Sequence, residues 1–159
     1  MIIKFDNREG KSVEVMMKLV DEKVTMLRTR LNEGDYCWDD VCVERKAIDD
    51  FCSSIMDGRI KSQIEKMENK YKHVYVIIVG AIKDRTTEIH ENCILGKIGS
   101  LMVKYGVNVG MVDDEFQFLY LMKNIFEKHK EIRDMKFVNE ETEELSKELK
   151  FIERSYGIE

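Results

Sequence analysis

"GDYCWDDVCVERKAIDD", residues 34–50, decides how this chain is read. "VCVERK" has the look of a buried strand, with Val41, Cys42 and Val43 running straight into Glu44, Arg45 and Lys46. "GDYCW" forms the preceding arm, and Asp39-Asp40 suits the hairpin turn between them. From Ala47 the apolar period changes: Ile48, Phe51, Cys52 and Ile55 share one helical face. A strand that buries apolar residues and then opens a helix belongs to an α/β architecture. Its charged end needs a separate reason. Glu44 and Lys46 are two residues apart and point to one face of the strand. Asp35, on the other hairpin arm, can reach that face.

Working outward, "MIIKF" reads as a first strand, apolar on both faces and therefore central. Residues 11–20 carry Val13, Met16, Met17 and Val20 at helical spacing, and "KVTMLRTRL" reads as a second strand. Downstream of the hairpin, Gly58 interrupts the helical pattern, which resumes over Ile60, Ile64 and Met67 to about Tyr71. "HVYVIIVG", residues 73–80, is the clearest buried strand. "ENCILGKIGSLMVKYG" is an amphipathic helix with Gly106 just past its end, "VNVGMV" a short strand, and "DDEFQFLYLMKNIFEKHKE" a helix opened by acids. The expected order is β-α-β-β-β-α-α-β-α-β-α: a mixed central sheet flanked by helices on both faces, with a meander in the middle and crossovers at the end. Residues 131–159 are expected to be a charged, helix-prone tail, loosely packed or frayed.

Composition sets bounds on function. The 159 residues suffice for one domain with a core. The net charge of −5 argues against coating nucleic acid by bulk charge. The excess is local, however: residues 131–159 hold nine acids and five bases, residues 1–130 hold 22 and 21. That near-neutral part leaves room for a cationic groove. The four cysteines form no C-x-x-C pair and are expected to be free, buried thiols. No apolar run approaches the roughly 20 residues of a membrane span. The chain starts on a strand-like run rather than a signal sequence, so the expectation is a soluble, intracellular protein, cytoplasmic or, in a eukaryote, nuclear.

Two acids and a lysine on one strand face suit metal-dependent phosphodiester hydrolysis. Carboxylates are hard ligands for Mg²⁺, which keeps waters and takes phosphate oxygens as further ligands. A lysine beside them can orient water or stabilise a developing oxyanion. The arrangement is found in restriction-endonuclease-like folds. More of the chain fits one group within them. Gly34-Asp35, eight residues, Glu44-Arg45-Lys46, three residues, Asp50 resembles the motif of the XPF-type structure-specific nuclease family, which includes the nuclease domain of archaeal Hef. "DNRE" at Asp6–Glu9, "DFCSSIMDGRIKSQIEKM", "VYVIIVG" and "ILGKIGSLMVKYGVNVGMVDDEFQFLYLMKNI" extend the resemblance over residues 1–130.

The resemblance implies an α/β, restriction-endonuclease-like nuclease domain over 1–130, a Mg²⁺ or Mn²⁺ cofactor, and cleavage of branched or flapped DNA near a junction. By it, Asp35, Glu44 and Asp6 are metal-side acids and Lys46 is the catalytic lysine. Asp50 is expected to hold Arg45 or Lys46 by a charge-assisted bond. Arg8, Arg45, Arg59 and Gln63 are the candidates for phosphate contact. A homodimer through the helices in 93–126 is implied as well, and Phe116, Phe118, Leu119, Tyr120, Leu121 and Met122 exceed one buried stripe. His90 is expected to cap a helix. Tyr36 and Trp38 are read as hairpin packing before base stacking. Residues 131–159 are too few for the tandem helix-hairpin-helix modules of many relatives, so a separate DNA-binding or helicase partner is expected. Two rival readings stand beside this one: a non-catalytic scaffold, which the intact Asp35, Glu44, Arg45, Lys46 and Asp50 oppose, and a Holliday-junction-type resolvase on the same core.

Overall fold

The computed structural model describes residues 1–156; the last three residues of the expected tail lie outside the described residues. The strands are β1 (Ile2–Asp6), β2 (Thr25–Thr29), β3 (Tyr36–Trp38), β4 (Val41–Ala47), β5 (His73–Val79) and β6 (Asn108–Val112). The helices are α1 (Val13–Val20), α2 (Ile48–Met56), α3 (Arg59–Glu68), α4 (Glu91–Lys104) and α5 (Glu115–Tyr156), with a 3₁₀ turn at Ile82–Asp84. The order is the one the sequence predicts. The strands form one mixed sheet, β2-β1-β3-β4-β5-β6.

The connections depart from expectation in one respect. The first three strands after α1 are not a meander: β2 lies parallel to β1 at the sheet edge, and β3 pairs with β1 rather than with β2. A crossover therefore opens the chain as well as closing it. Burial explains the arrangement. β1 puts Ile3, Phe5 and Asp6 out of solvent, whereas no residue of β2 is fully buried, so the strand with more to bury takes the inner place. β1 is not apolar-buried on both faces, since Ile2 and Lys4 are exposed.

Both faces of the sheet centre are covered. On one, Cys37, Cys42, Val74, Val76 and Ile78 pack with Phe51 and Cys52 of α2, Ile60, Ile64 and Met67 of α3, and Ile94 and Leu101 of α4. On the other, Phe5 and Tyr36 stack with ring centroids 6.3 Å apart, and Phe118 of α5 tilts onto Tyr36 at 5.2 Å. β4 is buried along most of its length because helices lie above and below it. Asp39 turns the hairpin with φ 53°, a conformation Asp tolerates better than most residues. Three thiols, Cys37, Cys42 and Cys52, are buried as expected; Cys93 is exposed, on the outer side of α4. All four are free. No helix is long and apolar enough to cross a membrane among the described residues.

The chain divides into two compact units, Met1–Lys123 and a second starting at Asn124. The second is the continuation of α5, which runs unbroken for 42 residues. From Glu131 through Ser155 each residue of it is exposed. Over the described residues the expected tail is a continuous helix.

Candidate active site

Alternation along β4 sorts its three terminal charges. Glu44 and Lys46 share the face that carries α2 and α3, and Arg45 faces the other way, toward the start of α5. Glu44 and Lys46 are 8% and 9% exposed, and Lys46 Nζ lies 3.3 Å from Glu44 Oε1. Two buried opposite charges need each other, because either alone would carry a large desolvation cost.

Asp35 is delivered by a glycine. Gly34 sits at φ 74°, and a Cβ there would come within 2.1 Å of Cys42 Sγ. Only glycine fits, so the hairpin can close tightly enough to set Asp35 beside β4. The Asp35 N–H then donates to Val43 O (3.1 Å) and the Arg45 N–H donates to Asp35 Oδ2 (2.8 Å). Burial raises the Asp35 carboxyl well above the usual range, helped by the negative charges of Glu44 and Glu9. Burial raises Glu44 too, against the opposing pull of Lys46.

Asp35 and Glu44 open on a cleft of about 280 Å³, lined also by Arg8, Gly34, Gln63, Lys66 and Met67. Gln63 Oε1 is buried there without a hydrogen-bond partner. Arg8 is 71% exposed, with Nη2 donating to Leu31 O at 3.2 Å. Its guanidinium also pairs with Asp6, which is 1% exposed and accepts the Leu31 N–H at 2.8 Å. The hydrogen bond from Arg8 draws the Asp6 carboxyl down to about 2. Both Asp6 oxygens are therefore engaged in fastening the end of β1 to residues 8 and 31, and Asp6 is a structural anchor in this arrangement rather than a free acid at the cleft.

Three sequence expectations meet a different geometry. Asp50 is exposed and pairs with neither Arg45 nor Lys46. Arg45 instead forms a two-pronged bond to Glu115 of α5, with Nε donating to Oε2 at 2.9 Å and Nη2 donating to Oε1. A partner 70 residues away cannot be read from local spacing. Arg59 does not line the cleft; it pairs with Asp57 at 2.8 Å on the surface. His90 behaves as expected, its Nδ1 accepting the Asn92 N–H at 3.1 Å as the cap of α4. Tyr36 is fully buried and is a packing residue, as expected.

Sequence reasoning overlooked Glu9 and Lys66, as well as Asn32 and Glu33, which also line the cleft. Glu9 accepts the Tyr36 hydroxyl at 2.9 Å, and its charge raises both carboxyls. Its position in "DNRE" was the available signal. Lys66 follows Gln63 by one helical turn, a spacing that puts both on one face.

Among the described residues no three His, Cys, Asp or Glu side chains form a ready metal cage. The donor set is smaller. Asp35 uses Oδ2 and Glu44 uses Oε1 for the bonds above, and their second oxygens have no hydrogen-bond partner among the described residues. Two such carboxylates on a polar cleft fit a hard dication that keeps its waters and needs few protein ligands.

Residues 5–125 match the ERCC4 domain. The chain belongs to the XPF-type nuclease family. This ERCC4 domain is 30% identical over 125 residues to a 3′-flap repair endonuclease Xpf of Saccharolobus solfataricus, covering 77% of this chain and 53% of that protein. It is 31% identical over 114 residues to a Methanocaldococcus jannaschii protein assigned by name to the ATP-dependent RNA helicases, covering 71% of this chain and 14% of that one. The chain thus spans about half or less of the curated relatives it matches. Among solved structures, XPF from Aeropyrum pernix superposes with a TM-score of 0.73 at 24% identity, covering 84% of this chain and 69% of that one. The same protein in complex with DNA gives 0.66 at 25% identity, covering 77% and 64%.

Proposed function

We propose that this ERCC4 domain is a structure-specific DNA endonuclease that hydrolyses one strand near a branch, a flap, fork or splayed arm. The observation that carries the reading is Asp35 and Glu44 gathered at one cleft, with Lys46 paired to Glu44 behind them and both carboxyls pushed toward protonation by burial and crowding. Such a poised, mutually destabilised group of charges is what a site awaiting a cation and a phosphate looks like.

Asp35 and Glu44 are the residues that would hold the ion. Mg²⁺ or Mn²⁺, when bound, supplies positive charge against the phosphodiester and lowers the pKa of water. Lys46 is held within reach of the same spot by Glu44 and donates to a phosphate oxygen or to the attacking water. Arg8 and Lys66 on the rim attract the DNA backbone, and Gln63 offers an unpaired amide oxygen in the cleft. Arg45 acts at one remove: its N–H fixes Asp35 and its guanidinium ties β4 to α5. Water adds to phosphorus and gives up a proton as the P–O3′ bond breaks, and the departing O3′ takes up a proton, leaving a 5′-phosphate and a 3′-hydroxyl.

The 3′-flap in the Saccharolobus relative's name supports testing a 3′-flap first. The DNA-bound Aeropyrum structure supports DNA as ligand. The helicase-named relative supports a separate helicase or DNA-gripping partner. A homodimer through residues 93–126 is supported by exposed Leu95, Met102, Val103, Phe116 and Tyr120. One observation favours the scaffold reading, the absence of a ready metal cage among the described residues. Cleavage of end-labelled 3′-flap, 5′-flap, fork, four-way junction and plain duplex, with Mg²⁺ and with EDTA, separates the two. Metal-dependent cuts near the branch support the nuclease; binding without cuts supports the scaffold.

A further inference from the structure

The second unit has a pattern that the nuclease reading leaves unused. Met135, Val138, Thr142, Leu145, Leu149 and Ile152 follow one another at steps of 3, 4, 3, 4 and 3 residues on α5. That alternation averages 3.5 residues, the period of a seam that stays on one side of a supercoiled helix. Its apolar members are 49–60% exposed. A helix that carried these residues only for its own sake would gain nothing from lining them up, since helix propensity is indifferent to which face an apolar residue occupies.

The residues beside the seam say what covers it. On one flank stand Asp134, Glu141 and Glu148, seven residues apart each time. Asp134 is already paired with Lys130 on its own helix, but neither Glu141 nor Glu148 has an ion-pair partner among the described residues. The other flank carries Asn139, Ser146 and Glu153. A parallel second copy would set Glu148 against Glu153 and offer Glu141 only a serine. An antiparallel copy would set acid against acid. Neither pairing satisfies the acidic flank, and like charges across a seam select against a partner. A helix with an apolar stripe bordered by Lys or Arg answers both features.

We infer that residues 134–153 of α5 are a docking helix for a basic amphipathic helix of a different protein, joined in a two-helix coiled coil. The seam supplies the buried apolar contact and the acidic flank chooses a cationic partner. The site lies wholly in the second unit and does not depend on the nuclease reading.

The test uses the full chain and two designed four-heptad peptides, each with Ile and Leu on the seam, one with Lys and one with Glu at the flanking positions. Fluorescence anisotropy is expected to show the Lys peptide binding at least about tenfold more tightly than the Glu peptide. The Leu145→Asp/Leu149→Asp variant is expected to lose that binding, and Glu141→Lys/Glu148→Lys to reverse the preference while keeping its helical circular dichroism. Sedimentation of the chain alone is expected to give one mass for wild type and the Leu145→Asp/Leu149→Asp variant. Equal affinity for both peptides would overturn the inference. A smaller mass for that variant would also overturn it, because the seam would then be joining two copies.

Discussion

Gly34 and Asp35 illustrate how one backbone position can govern a site. Gly34→Ala would force a Cβ into Cys42 Sγ and a side chain into positive φ. Steric strain of both kinds is expected to cost about 2–4 kcal/mol in urea unfolding and to displace Asp35. The carboxyls beside it make opposite pH claims. Asp35 and Glu44 are raised, so the folded protein holds their protons more tightly than the unfolded chain. Their effect on metal-free stability is most favourable below the ordinary carboxylate range and is lost as pH rises through the raised values. Asp35→Asn, which keeps an acceptor for the Arg45 N–H, is therefore expected to raise the metal-free melting temperature by about 2–4 °C at pH 7 and by nothing near pH 3. Added Mg²⁺ is expected to raise the wild-type melting temperature and leave that variant unmoved. Asp6 behaves in the reverse sense. Its carboxyl is lowered to about 2, so its stabilisation is present at neutral pH and disappears as pH falls toward that value.

At the scale of elements, β4 and α5 meet through Arg45 and Glu115. The pair is only partly buried, and a double-mutant cycle of Arg45→Ala and Glu115→Ala is expected to return a coupling of about 1 kcal/mol. Glu115 sits in the first turn of α5, where an acid is favoured regardless, and that masked its second task in the sequence. The elements themselves were legible because their periods differ sharply: β5 is a short apolar run, α2 and α3 are broken by Gly58 at φ 72°, and the hairpin turns on Asp39. Which strand adds to which was not legible. "KVTMLRTRL" has the alternation of a strand but nothing that says it joins β1 from the outer side, leaving the inner side to β3. Asp6 was similarly opaque: an acid at a strand end gives no sign of the Leu31 N–H, 25 residues on, that it accepts. Glu44 and Lys46 came together as expected because a strand's two-residue repeat fixes their shared face.

For the whole molecule the central claim is that a mutually strained cluster of charges in an XPF-type fold exists to handle a phosphodiester. A scaffold would gain nothing from keeping Asp35 and Glu44 buried together, since replacing them would relieve the repulsion. The most direct measurement is single-turnover cleavage of a labelled 3′-flap DNA in Mg²⁺ by wild type and Glu44→Gln, with DNA binding and melting temperature recorded on the same preparations. The account predicts cuts near the branch by wild type, a loss of about 10³-fold or more in the variant, and DNA binding that is retained. A variant that cuts as fast as wild type, or a wild type that binds flap DNA and never cuts it, would contradict the account.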